Sequence, residues 1–202
     1  MKAGQRFARL ATDAVVRRPV LWRLFRGPLR AQFDRIAPHW DTIVSPGHLD
    51  VLVAALDGLE PPRRALDLGT GTGAAALAVA ERFPEAEVTG FDLSPGMVAT
   101  ATAKLPAELA GRVRFQVGDA SALPVPDAAA ELVTLANMIP FFDELARVVA
   151  PGGTVVCGYS RGASTPIYVA PERLRRELAA RGFTDFADFT AGAGTALRAR
   201  RR

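Results

Sequence analysis

The stretch Ala65-Leu66-Asp67-Leu68-Gly69-Thr70-Gly71-Thr72-Gly73-Ala74-Ala75-Ala76 constrains the fold more than any other in the chain. A short apolar run with an acid inside it breaks into three alternating glycines and continues into the alanine-rich segment from Ala75 to Phe83. That pattern predicts strand, tight turn, helix. A side chain at those glycines would hold a ligand away from the backbone, so the turn points to close approach of a small molecule at the carboxyl end of a strand. Asp67 sits beneath the loop, placed for a positively charged or hydroxylated group.

Two ligand classes use such a turn. Gly69, Gly71 and Ala74 fit the G-x-G-x-x-G/A dinucleotide spacing, a weak signal on its own. Gly73 and Asp67 extend it to D-x-G-x-G-x-G, so the choice rests on the segments after the loop. At 202 residues and 49% hydrophobic content the chain can bury one sizeable core. The single cysteine, Cys157, has no internal partner and lies in the apolar run Val155-Val156-Cys157, where it reads as a small core residue. Two histidines without a Cys/His cluster give no pattern for a metal. No apolar run approaches the ~20 residues of a spanning helix, and Arg17-Arg18-Pro19 interrupts any signal-peptide core, so the expectation is a cytoplasmic protein.

Charge is uneven. Lys2, Arg6, Arg9, Arg17, Arg18, Arg23, Arg26 and Arg30 face only Asp13 in the first thirty positions, and Arg198, Arg200, Arg201 and Arg202 form a basic tail. Phe7, Leu10, Ala11, Ala14 and Val15 follow the spacing of one helical face, which Pro19 ends. An apolar and aromatic stripe runs on through Leu29, Phe33, Ile36, Ala37 and Trp40, with interruptions expected at Gly27-Pro28 and Pro38. Helices packed on the domain, with arginines as their solvated face, are the first reading of this arm. A membrane-surface helix dipping Trp22, Leu24 and Phe25 into headgroups is the second. Arginines without interleaved stacking aromatics in a known motif give little support for nucleic acid.

Beyond the arm, Ser45-Pro46 predicts a capped helix start before Leu49, Leu52, Val53 and Leu56. Val88 to Asp92 reads as a second strand ending in an acid, and Ser94-Pro95 starts the next helix. Asp92 lies a little over the ~20 residues past the loop at which α/β nucleotide folds place a ribose-binding carboxylate. Val113-Arg114-Phe115-Gln116-Val117-Gly118-Asp119-Ala120 alternates apolar and polar before another acid and reads as a third strand with its carboxyl end marked, and Leu132 to Ala136 is a fourth, closed by Asn137. A fifth strand spans Thr154 to Tyr159, a helix Glu172 to Arg181, and Phe183 to Phe189 with Ala196 to Arg200 can form a closing antiparallel pair.

Several of these segments, in this order, resemble the class I S-adenosylmethionine-dependent methyltransferases, in particular the broad family that contains the ubiquinone/menaquinone C-methyltransferases. The glycine loop resembles their first motif. Phe33-Asp34-Arg35-Ile36-Ala37-Pro38-His39-Trp40-Asp41 is similar to the segment that caps their cofactor site. Gly118-Asp119-Ala120 with Leu123-Pro124 and Asp127 is similar to their adenine-reading segment, and Asp143 to Gly153 to their helix and Pro-Gly-Gly turn. The likeness runs from about Phe33 to the end. Glu131 stands where most relatives have Asp, and the segment from Asn137 to the following helix is unusually short, only Met138 to Phe142. The absence of Asn/Asp-Pro-Pro-aromatic argues against amino-group methylation of the DNA-adenine or protein-glutamine kind.

The resemblance implies one doubly wound α/β domain with a mostly parallel seven-stranded sheet, residues 46–202, behind an N-terminal helical cap, residues 1–45. It implies S-adenosylmethionine as cofactor: Asp67, Gly69, Thr70, Gly71 and Gly73 for the amino-acid end, Asp92 for the ribose, Leu93 and Met97 around the adenine, Asp119 and Ala120 at its edge, and Asn137 at the end of the fourth strand. The expected acceptor is a small molecule, methylated on oxygen or carbon rather than nitrogen. Should a proton have to leave, His39 or His48 could accept it at neutral pH. A non-catalytic module with this fold and a nicotinamide-dependent oxidoreductase are the alternatives.

Overall fold

The computed structural model describes residues 3–202; Met1 and Lys2, and with them one charge of the basic arm, lie outside it. Seven strands form one sheet: β1 (Arg64–Leu68), β2 (Glu87–Asp92), β3 (Val113–Val117), β4 (Ala130–Ala136), β5 (Val149–Tyr159), β6 (Phe183–Ala191) and β7 (Gly194–Arg201). Their order is β3-β2-β1-β4-β5-β7-β6, parallel except where β7 runs against both β5 and β6. The chain winds outward from β1 in both directions, so the carboxyl ends of β1 and β4 meet where the order reverses. In open α/β sheets that crevice is where ligands sit. Burial on both faces explains why β1 and β4 are nearly continuous apolar runs rather than alternating ones.

Helices cover the faces: α1 (Ala3–Arg17), α2 (Trp22–Ile36), α3 (Trp40–Ile43), α4 (Asp50–Leu56), α5 (Ala74–Arg82), α6 (Pro95–Ala103), α7 (Phe142–Val148) and α8 (Pro171–Ala179). Ser94 caps α6 as its sequence predicts, its Oγ accepting from the Met97 N–H at 3.1 Å. Ser45 does not act in that way. The chain turns from Ser45 to Leu49 and α4 begins only at Asp50, without a side-chain cap.

Gly27-Pro28 does not break the second helix either: α2 runs through Pro28 to Ile36. The ring of Pro28 and the side chain of Leu24 are both exposed, so the carbonyl of residue 24, which loses its partner, is left on the solvent side. Gly27 has no Cβ for the proline ring to strike and no neighbour within 4 Å where one would be. The arm formed by α1 and α2 is not a separate body. Ala11, Val15, Trp22 and Leu29 share one buried cluster with Leu66, Leu68, Phe91, Phe141 and Tyr159 of the sheet side.

Candidate active site

The loop after β1 is tied into the sheet at both ends. The Thr70 N–H donates to the Phe91 carbonyl of β2 at 3.0 Å, and the Gly73 N–H closes a turn onto the Thr70 carbonyl at 2.9 Å. Gly71 takes φ 54°, and its N–H donates to Oδ2 of Asp92 at 2.9 Å. Gly73 takes φ 91° as the left-handed start of α5, where a Cβ would lie 2.7 Å from Cζ of Phe115. Both positions therefore favour glycine on conformational grounds, and the second also requires it on steric ones.

Above this loop lies a cavity of about 400 Å³, within the range of small-molecule sites. Of the residues singled out in the sequence, Gly69, Gly71, Asp92, Leu93, Met97, Ala120, Asn137 and His48 line it. Asp67, Thr70, Gly73, Asp119 and His39 do not. His39 is exposed in the turn before α3 and is not among the residues that line the cavity. His48 lines the cavity, with Nδ1 3.1 Å from the Ser45 carbonyl oxygen.

Asp67 is the next-to-last residue of the central strand β1, 1% exposed. Thr134 of β4 donates to its Oδ1 at 2.8 Å, while Oδ2 is buried without a partner, as is the nearby Thr70 Oγ1. Burial pushes the Asp67 carboxyl up to about 6. An orphaned acceptor directly under a glycine loop is an arrangement that a bound ammonium, or a water bridging to one, would complete. Asp92 is also raised by burial, against the N–H groups of Ser94 and Gly71 that it accepts at 2.9 Å each. Its carboxylate oxygens keep lone pairs toward the cavity for further donors.

Asn137 stands at φ 54°, a conformation in which asparagine is among the better tolerated residues. Its Oδ1 accepts from the Ser160 N–H at 2.8 Å, joining the ends of β4 and β5 at the cavity floor. Asp119 is engaged by the arm. Its carboxylate points at the arm, accepting from the Trp22 indole and from the Ser121 N–H and hydroxyl, with Arg26 at 3.7 Å.

The arm supplies the roof. Trp22, Leu29, Phe33, Ile36 and Trp40 line the cavity opposite the strands, and Phe33 and Trp40 meet edge to face at 5.8 Å. Sequence reasoning missed how this roof is fastened. Asp34 accepts from the Ser94 hydroxyl at 2.5 Å and the Gly96 N–H at 3.0 Å, so the arm reaches the amino end of α6, directly behind Asp92. Asp41 accepts from the Thr72 hydroxyl at 2.6 Å and from Lys104 at 2.5 Å, which ties the arm to the glycine loop itself. The signal was present in the recurrence of an acid after each aromatic, Phe33-Asp34 and Trp40-Asp41. Arg161 also lines the cavity, at the start of the segment Arg161 to Ala170 that, with the arm and the stretch Asn137 to Phe142, departs most from the family pattern.

Comparison with known proteins agrees with this geometry. Residues 65–153 match a methyltransferase domain family. A demethylmenaquinone methyltransferase of Thermus thermophilus is 50% identical over 103 residues, 47% of this chain and 46% of that protein. A trans-aconitate 2-methyltransferase of Methylobacterium radiotolerans is 34% identical over 131 residues, 61% of this chain and 46% of that one. The chain thus spans about half the length of these curated relatives. Among solved structures, a putative methyltransferase in complex with the Haloferax volcanii Trm112 methyltransferase activator superposes with a TM-score of 0.69, at 20% identity, over 83% of this chain and 96% of that one. A seven-stranded sheet with a single reversed strand is the fold shared with that solved structure, and the stretch from the three-glycine loop through the Pro-Gly-Gly turn is the part of the chain that matches the methyltransferase domain family.

Proposed function

We propose that the chain transfers a methyl group from S-adenosylmethionine to a small-molecule acceptor, on oxygen or carbon. The observation that carries this reading is the pairing of Asp67, with its orphaned oxygen, and Asp92, at the cavity wall, on adjacent parallel strands that flank the Gly69-Thr70-Gly71 turn. Asp67, Gly69, Thr70, Gly71 and Gly73 would receive the amino-acid end, Asp92 the ribose hydroxyls, and Leu93, Met97 and Ala120 the adenine. When bound, the cofactor supplies an electrophilic methyl group on a good leaving group, so alignment and exclusion of water can supply much of the acceleration.

The chain's own contribution is therefore positional. The aromatic roof and the apolar wall formed by Met138, Ile139, Phe141 and Ile167 exclude water. Arg161 is the only Arg or Lys lining the cavity among the described residues, and no acidic residue there pairs with it. An acceptor with an apolar body and a carbonyl, carboxylate or phenolate oxygen suits that lining. His48 is the histidine placed to take a proton from it.

Calorimetry with S-adenosylmethionine, S-adenosylhomocysteine and NAD tests the reading, with binding expected for the first two alone. Binding of NAD without either of the others would establish the nicotinamide alternative. Binding of the methyl donor with no transfer to any member of a panel of oxygen-bearing acceptors would favour a non-catalytic module. The basic outer face of the arm supports contact with an anionic membrane surface.

A further inference from the structure

Residues 1–35 contain nine basic side chains and two acidic ones, in a chain whose total charge is +4. The remainder is therefore net negative, and the positive charge is concentrated on the α1–α2 arm. Within the described residues most of these arginines are exposed, and only Arg26 and Arg30 have an acidic partner, each at a loose 3.7 Å. Three aliphatic side chains lie bare among them: Leu10 is 66% exposed, Val20 66% and Leu24 68%. Leu10 lies on the same outward face of α1 as Arg6 and Arg17, at helical spacing. On α2 the exposed positions Leu24, Gly27 and Ala31 continue one stripe from Val20, with Arg23 and Arg30 along its edge.

We infer that this outer face of the α1–α2 arm docks on an anionic lipid bilayer. Arginines around a bare aliphatic stripe are the composition of an interfacial helix: the charges are drawn to the surface and the aliphatic groups sink into it. Nucleic acid is disfavoured by where the rings point. Trp22 is buried edge-on to Phe141, Phe25 packs on Phe7, and Phe33 packs on Trp40, so no aromatic ring of the arm is turned outward for base stacking. The same observation replaces the set expected from sequence: Trp22 and Phe25 face the core, and the lipid-facing residues are Leu10, Val20 and Leu24. Because α1 and α2 are fixed to the sheet by a shared core, the face is presented as a rigid surface. The inference concerns the outside of the arm and is independent of the chemistry in the cavity.

Flotation of the full chain with vesicles tests it. Binding is expected to vesicles half of phosphatidylglycerol and not to phosphatidylcholine alone, and it should fall steeply with added salt. A Val20→Asp/Leu24→Asp variant should lose binding. An Arg17→Gln/Arg18→Gln/Arg23→Gln variant should lose on the order of a hundredfold. Since all five positions are exposed, circular dichroism should be unchanged in both variants. Failure to float with the anionic vesicles, or flotation indifferent to both variants, would overturn the inference. So would oligonucleotide binding tighter than vesicle binding that the arginine variant weakens and the aspartate variant leaves intact.

Discussion

The indole N–H of Trp22 donates to both carboxylate oxygens of Asp119, at 2.9 and 3.0 Å. A residue of the arm thus holds the group that family resemblance assigns to the adenine amino group. Oδ1 of Asp119 also accepts from the Ser121 N–H and hydroxyl, so little capacity is left for another donor while Trp22 is in place. On the role that the resemblance implies for Asp119, arm and purine would compete for one carboxylate.

Replacing Trp22 with Phe should then tighten binding of S-adenosylhomocysteine by roughly two- to tenfold, the worth of one net hydrogen bond, while amide exchange in α2 becomes faster. Isothermal titration and hydrogen exchange read the two effects. Weaker binding in the variant would show that Trp22 is a wall of the purine site and not its competitor.

Asp92→Ala should weaken cofactor binding by about 1.5–3 kcal/mol, the range for hydrogen bonds to a charged group. Stability should fall as well, because Gly71 and Ser94 N–H groups would lose their acceptor. Asp92→Asn, which keeps one oxygen, separates the two losses. Gly71→Val should be worse for binding than either: its φ of 54° strains any β-branched residue, and its Cβ would already stand 3.5 Å from the Trp40 indole nitrogen. Unchanged affinity in Gly71→Val would remove the ligand from this loop.

The parallel part of the sheet was legible because β1 to β4 end at a glycine or a short polar residue, Gly69, Asp92, Gly118 and Asn137, at the edge where the cavity lies. Asp67, Asp92 and Asn137 were placed by that logic alone. What stayed hidden was long-range. The Trp22 indole that donates to Asp119 lies 97 residues away and the donors Ser94 and Gly96 to Asp34 about 60, and no local pattern records such pairings. Pro28 misled for a related reason: its cost depends on which side of α2 faces water, and only the packed arm decides that.

Asp67 gives a pH signature. Its folded value of about 6 lies above the ~3.9 of an unfolded aspartate, so between those values the folded state holds a proton that the unfolded state has released. Stability from this group is full below about pH 4 and lost as pH rises to about 6, a difference on the order of 3 kcal/mol. Asp67→Asn should abolish that slope. Relative to the variant, the native protein should lose melting temperature between pH 4 and 6 and hold a constant deficit above. Parallel profiles of the two proteins across that window would refute the assignment.

The roof over the cavity should be partly fixed before ligand arrives. Two fastenings hold it, Asp34 on Ser94 and Gly96 and Asp41 on Thr72 and Lys104, and within it Phe33 and Trp40 meet edge to face. The Ser94 hydroxyl and the Gly96 N–H hold the Asp34 carboxyl below its usual range, and Lys104 with Thr72 does the same for Asp41, so both fastenings persist at neutral pH and fail only in acid. Removing the whole arm would be a poor test, because it would strip Val15, Trp22 and Leu29 from the core shared with Phe141. Asp34→Ala with Asp41→Ala cuts the fastenings and leaves the core. Residues 29–41 should then exchange quickly without ligand and regain protection with S-adenosylmethionine, at lower affinity than native, since ordering the segment now draws on binding energy. Native protein should show intermediate protection that deepens with ligand. Protection in the native protein that is equally deep with and without S-adenosylmethionine would make the segment a fixed wall, through which neither cofactor nor acceptor enters.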